Sequence, residues 1–546
     1  MKTINRFVTL AMATTAVVFA PSAFAQKETV AAAETNEPGA NAEVMKLMIR
    51  KSIQNDVLES FRAVAKPIPE GPIIMREKGL PRPIPYTGLP GNGGIDPVVQ
   101  TSMNVPGITA PSVTIARNFD GQGVGFPGFT VRSAPPDTHG AVGSTQFVQV
   151  VNSGSLAVFD KATGNRILGP VSIASLFAGF GGKCAAGDSG DPIVNWDNSA
   201  KRWIITQFAI NPLAAPLLEC VAVSQTRDAT GAYNRYAFSY NVLPDYPKFA
   251  VWNNAYFFTF NLFDQTRNFA FVGALACAYD RVNMLAGRPA TQQCFQTPNN
   301  VGSLLPSDAD GKGETPADAP NYIVTLNATS LGFYKFRADF NNPANTTFSA
   351  PVQIPVAAYT ELCSATGTCV PQPGTTNRLD GLSDRLMSRF SYRRYPDGRE
   401  SLLVNHAITT GLRWYEIRNP NAAVPTLFQQ GTFAPNADTR FMGSIGQDSA
   451  GNFAIGYTAS SSTTRPSLRV AVRAPNDPLG VLGSETELFT GGGVQTGTLS
   501  RWGDYSAMTV DPSDDCTFWF TTEYLKANGT FNWSTRVASF KVDGCS

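Results

Sequence analysis

Five aspartates recur at matching places along the chain: Asp137, Asp191, Asp245, Asp384 and Asp504. Each opens the same phrase: an acidic start, an apolar strand, a polar tight turn and a returning aromatic strand. With a further start near 440, they are spaced by roughly 54 residues or a multiple of it. Carboxylates gathered from such positions could hold a hard cation such as Ca²⁺ through oxygen ligands, or a cationic ligand. Arg385, Arg389, Arg440 and Arg501 stand near the same starts and would partly neutralise a ring of acids. Mixed Asp and Arg also suits a hydroxyl-rich glycan. The plain alternative is local: each Asp caps its own turn by accepting backbone N–H bonds, worth about 0.5–2 kcal/mol.

His139, two residues after Asp137, and Tyr505, beside Asp504, join the ligand-binding candidates. The chain has two histidines and no Cys-x-x-Cys, so zinc chemistry has no ligand set. His406 ends an aromatic strand and reads as a core or rim residue. Cys184-Ala185-Ala186-Gly187-Asp188-Ser189-Gly190-Asp191-Pro192 resembles the nucleophile loop of chymotrypsin-like proteases. The roughly 50 residues back to His139 cannot hold the two barrels that frame such a triad. In the repeat register Asp191 is one more leading acid.

The elements that must position these side chains are hairpins. Met508-Thr509-Val510 and Phe518-Trp519-Phe520 alternate with period two, and Asp511-Pro512-Ser513-Asp514 between them is turn chemistry. The same design is legible at Val194–Phe208, Phe249–Phe260, Phe390–His406, Phe441–Tyr457 and Ala141–Asn152. Asn321–Leu326 and Gly332–Phe336 supply the strands of one further unit between 245 and 384, making seven. A second hairpin follows most of the first ones. The expectation is an all-β, seven-bladed β-propeller of four-stranded antiparallel blades over 112–546. Equivalent acids would then ring the channel mouth. The candidates for closing the ring are the segment just before Asp137 and the final strand Val537–Val542.

Met1–Ala25 carries Lys2 and Arg6, an apolar run and Ala23-Phe24-Ala25, which reads as a secretory signal peptide cleaved before Gln26. Residues 26–66 read as a mobile segment followed by an amphipathic helix over Ala42–Ala65, and 67–111 as a Pro/Gly-rich arm or linker. Losing Lys2 and Arg6 from 43 basic residues, against 42 acidic, leaves a net charge of about −1, with no electrostatic footprint for nucleic acid. No later stretch is apolar enough to span a membrane. The eight cysteines suit an oxidising compartment, and chain order favours Cys184–Cys220, Cys277–Cys294, Cys363–Cys369 and Cys516–Cys545 out of 105 connectivities.

Pro135-Pro136-Asp137-Thr138, Pro244-Asp245-Tyr246-Pro247-Lys248, Leu305-Pro306-Ser307-Asp308, Asp384-Arg385-Leu386-Met387 and Arg501-Trp502-Gly503-Asp504-Tyr505-Ser506 resemble an uncharacterised family of large secreted bacterial proteins with propeller-like repeats. The resemblance implies an exported or surface protein and carries no catalytic residues over. Asp448-Ser449-Ala450-Gly451-Asn452-Phe453 also resembles part of the Asp-box turn of sialidases, propeller enzymes with an Arg cluster, an acid and a Tyr nucleophile. Tyr505 or Tyr246 would take that last role by position. The expected function is a secreted, monomeric binding or scaffold propeller, with Ca²⁺ or a glycan at the channel mouth and a glycan or surface protein as partner. The alternatives are a sialidase-like glycoside hydrolase using the same Asp and Arg residues, and a purely structural envelope protein.

Overall fold

The computed structural model describes residues 44–68, 76–77, 95–152, 154–187, 189–312, 315–364 and 367–546. The expected leader and most of the Pro-rich stretch lie outside the described residues. What is described is all-β and largely antiparallel, and most sheets contain a run of strands that are consecutive in sequence, beginning with a strand at one edge of the run. We label these first strands β1 (His139–Val142), β2 (Ile193–Asp197), β3 (Leu243–Val251), β4 (Leu305–Ala309), β5 (Met387–Arg394), β6 (Thr439–Gln447) and β7 (Ala507–Val510).

From β1 the sheet runs through 146–151 and 155–160 to 166–172, and from β6 through 453–460 and 467–473 to 484–489. The β2 and β3 sheets have the same four-strand order plus a fifth edge strand from the N-terminal region. A ten-stranded sheet holds the β4 and β5 groups, joined where β4 and β5 pair in parallel. The last sheet, β7, 518–525 and 533–542, is completed by Val113–Gly123, which pairs antiparallel with the C-terminal strand. Each of β1 to β6 contacts the next first strand, and β7 contacts β1.

The hairpin turns form as their residue types dictate. Asp511 accepts from the Ser513 N–H at 2.8 Å, Asp397 from the Arg399 N–H at 2.9 Å, and Asp448 from the N–H groups of Ala450 and Asn452 at 3.0 and 2.9 Å. The apolar faces of successive sheets meet in separate clusters rather than one core. Trp252 packs edge-on to Tyr322 and Tyr392, Trp414 against Phe453, and Phe147 of the first sheet stacks on Trp519 of the last at 5.3 Å. Cys184–Cys220, Cys277–Cys294, Cys363–Cys369 and Cys516–Cys545 are disulfide-bonded, the pairs that chain order favours. Such bonding belongs to an oxidising compartment. Among the described residues no helix is long and apolar enough to cross a membrane.

The amphipathic helix expected over Ala42–Ala65 is not formed in its described part. Met48–Lys51 and Gln54–Leu58 are strands, followed by a one-turn helix, Phe61–Val64, capped by Ser60. The first strand adds to the outer edge of Thr291–Gln296 and the second to that of Tyr233–Tyr240, crossing from one sheet to the next at Ser52-Ile53. Two of the residues assigned to the helix face, Val44 and Val57, are 46% and 43% exposed, while Met48 and Phe61 are buried. Unpaired edges offer a row of N–H and C=O groups, and pairing with them outweighs a weak 3.6-residue periodicity. The described part of the arm also packs on the sheets. Val99-Gln100 pairs in parallel with Thr432-Phe433, Asp96 is 2.8 Å from Arg413, and the Thr109 N–H donates to Asp477 at 2.7 Å.

Candidate functional site at the leading ends of the first strands

A residue held in the left-handed region stands shortly before or early within most of the first strands: Asp137 (φ 45°), Asp191 (46°), Tyr246 (56°), Ser303 (49°), Met442 (52°) and Asp504 (60°). Non-glycine residues avoid this conformation, and strain of this kind collects where side chains must be aimed. The pairing of β3 and β6 with their neighbours also slips at these places, between Asp245 and Lys248 and between Phe441 and Ser444. Beneath the segment, Tyr246, Leu382, Met442, Trp502 and Tyr505 form an apolar floor.

On that floor lies Lys248, 3% exposed. Its ammonium sits 3.3 Å from the ring centre of Tyr246 and 4.2 Å from that of Tyr505, and donates to the Pro247 carbonyl at 2.9 Å. Burial pushes it down to about 7 against the opposing pull of Asp191, Asp137 and Asp504, while Arg385 pushes with the burial. Asp191, Asp137 and Asp504 thus favour the charged form of this amine, which lies over two tyrosine faces. His139 joins them, its ring 6.0 Å from Tyr505. Burial, then Lys248 and Arg389, lowers it to about 3, so it is neutral at physiological pH.

Asp384 is linked to Tyr246 through its neighbour Arg385. It pairs with Arg385 at 2.6 Å, and that guanidinium lies 4.6 Å over the Tyr246 ring. Arg501 bridges Asp504 and, at 3.5 Å, Asp380. Asp245 enters β3 opposite Asn261. Local capping coexists with this convergence, since Asn152 donates to Asp137 at 2.9 Å.

The four arginines do not form one cluster. Arg385 and Arg501 belong to this end. Arg389 lies further along β5, bound to Asp308 and Asp310, and Arg440 pairs with Glu485 of an outer strand at 2.9 Å. Both phenols are held protonated: burial raises Tyr246 and Tyr505 above the ordinary tyrosine range. Among the described residues no group of three or more His, Cys, Asp or Glu side chains is arranged to hold a metal ion.

Sequence reasoning missed Lys248, Glu361 and Asp380. Lys248 was within reach, because it stands two residues after the left-handed Tyr246, as His139 stands two after Asp137. Glu361 and Asp380 lie outside the hairpin phrase, on the segment that carries the Cys363–Cys369 bond, and no spacing marks them. Burial and the charge of Asp384 raise Glu361 to about 7; burial raises Asp380 to about 6 while Arg501 opposes it.

Neither a family model nor a curated protein matches this chain. Among solved structures, a Dyadobacter fermentans protein of unknown function is similar at 9% identity and TM-score 0.34, over 64% of this chain and 94% of its own. An endo-arabinase from Bacteroides thetaiotaomicron is similar at 10% identity and TM-score 0.26, over 64% and 93%. An ulvan lyase is similar at 11% identity and TM-score 0.27, over 76% and 81%. Likenesses this weak carry no argument about this chain.

Proposed function

We propose that the protein is an exported seven-bladed β-propeller whose channel mouth, where the first strands begin, binds a glycan. The cyclic contacts of β1 to β7 and the pairing of Val113–Gly123 with the C-terminal strand support the ring. The observation that carries the ligand class is Lys248. Its amine lies over the rings of Tyr246 and Tyr505, and Asp191, Asp137 and Asp504 support its charged form against burial. Carboxylates beside an amine favour hydroxyl groups, which the carboxylates accept from and the amine donates to, over a free metal ion.

Titration calorimetry with a panel of neutral oligosaccharides and with CaCl₂ tests this. At least one oligosaccharide should bind, and Asp191→Asn should weaken it about 10- to 100-fold, the value of a hydrogen bond to a charged group. Lys248→Met should raise Ca²⁺ affinity at least about tenfold by leaving the carboxylates uncompensated. Tight, chelator-reversible Ca²⁺ binding by the unaltered protein, with no saccharide binding, would replace the glycan reading by the calcium one.

Glycoside hydrolysis is the second reading, and Glu361 favours it. A carboxyl raised to about 7 beside the Asp384 carboxylate is poised as a general acid. Protonated, buried phenols are poor nucleophiles, so such an enzyme would work through carboxyl groups rather than Tyr246 or Tyr505. Turnover of chromogenic glycosides that falls at least about a hundredfold in Glu361→Gln would establish it. Unchanged turnover in that variant would remove Glu361 from the reaction.

A further inference from the structure

At the opposite ends of β1, β2, β3, β4 and β7 the structure holds a cavity of about 640 Å³. That volume suits a monosaccharide- or disaccharide-sized ligand. It shares no residue with the Lys248 site.

The carboxylates in its wall are already engaged. Asp197 receives Arg281 at 2.6 and 3.1 Å and the Tyr256 hydroxyl at 2.9 Å. Asp308 receives Arg389 at 2.8 Å and the Val251 N–H at 2.9 Å. Asp310 receives Arg389, the Ser391 hydroxyl and the Gln447 N–H. What these pairs leave over is positive. Lys201 and Lys312 are exposed residues lining the cavity, and among the described residues neither forms an ion pair. The Lys201 amine donates to Asn198 Oδ1 at 2.5 Å; burial lowers it, Asp197 opposes this, and Lys312 and Arg227 add to the lowering. Two ammonium groups kept together at a cavity rim are relieved when an anion lies between them.

Two polar atoms of the lining have no hydrogen-bond partner although they are buried, Asn253 Oδ1 and Thr509 Oγ1. Such atoms are costly unless something bonds them. The half-buried Trp196 completes the wall, 4.8 Å from Trp203. We propose that this far-mouth cavity binds a small hydroxylated oxyanion, its carboxylate or phosphate on Lys201 and Lys312 and its hydroxyls on Asn253 and Thr509. The chemistry is shared by an acidic sugar and by free phosphate.

The test uses the full chain and three probes, galacturonate, galactose and inorganic phosphate, read by tryptophan fluorescence and calorimetry. Galacturonate should bind saturably and galactose at least tenfold more weakly. The double variant Lys201→Met, Lys312→Met should lose galacturonate binding at least tenfold while its melting temperature stays within a degree or two. Thr509→Val should weaken galacturonate and leave phosphate unchanged. If phosphate binds as tightly as galacturonate and Thr509→Val is silent, the hydroxyl half of the proposal is overturned. If neither anion binds saturably, or binding survives loss of both lysines, the whole proposal is overturned. Asp191→Asn, at the other mouth, should leave these values unchanged, so failure here is separable from failure of the glycan reading.

Discussion

Arg389→Ala should cost the protein about 3–5 kcal/mol of stability, the usual range for breaking a buried ion pair from one side. Arg389 is 8% exposed, and one guanidinium serves two carboxylates on the β4 side, Asp308 at 2.8 and 3.0 Å and Asp310. It also donates to the Met508 carbonyl of β7 at 3.3 Å, while Asp310 accepts from the Gln447 N–H of β6 at 2.9 Å. Removing it strands two buried acids at the place where β4, β5, β6 and β7 meet. Burial already raises Asp308 despite the arginine's opposing charge. Arg389→Lys keeps the charge but loses the planar fork, and should fall between the two. Urea unfolding followed by tryptophan fluorescence measures the difference. A loss below about 1 kcal/mol would show that water entering the cavity replaces the arginine.

Glu219→Gln should stabilise the protein at neutral pH, and the gain should grow as pH rises. Glu219 is fully buried in the strand Leu217–Ser224, and burial lifts it to about 8, helped by the charge of Asp191. Thr206 is the near neighbour that opposes the shift, though too poorly aligned to satisfy either carboxyl oxygen. Gln207, Tyr240, Tyr279 and Gln292 supply further polar groups in the same region, and none of them carries charge at neutral pH. Below the ordinary Glu range both folded and unfolded states are protonated, and the carboxyl imposes no pH-dependent cost. As pH rises from about 4.5 to about 8 the unfolded chain ionises while the folded one holds its proton, so folding loses about 1.4 kcal/mol per unit. Above that window the cost levels off at an order of 3–5 kcal/mol. The variant lacks this term, so the two stability curves should coincide near pH 4 and separate toward pH 8. Parallel curves would mean that Glu219 is solvated in the folded protein.

Much of the fold was legible because it is written in short-range terms. A strand-turn-strand such as Met508–Phe520 needs only period-two alternation and an Asp-Pro turn, both local properties of the chain. The cysteine pairs followed from closeness in sequence, with separations of 6 to 36 residues. The recurrence of acids marked a set of equivalent positions, each near the start of a first strand. Side-chain direction was not legible. Arg385, Arg389 and Arg440 all read as neighbours of the leading acids, yet one stacks on Tyr246, one turns along β5 to Asp308, and one reaches outward to Glu485. A bulge or a single left-handed residue redirects a side chain without leaving a mark on composition.

The sequence by itself determined the hairpins, their order and the spacing of the acids, because alternation and turn chemistry act over a few residues. Only the tertiary structure decided that 48–51 and 54–58 would be strands, since the edges they cover lie roughly 240 and 180 residues further along the chain. It alone laid Lys248 over the rings of Tyr246 and Tyr505, and put Lys201 and Lys312 on one cavity at the other ends of the first strands. Charges meet or separate according to which strands lie side by side, and that is fixed by packing between sheets.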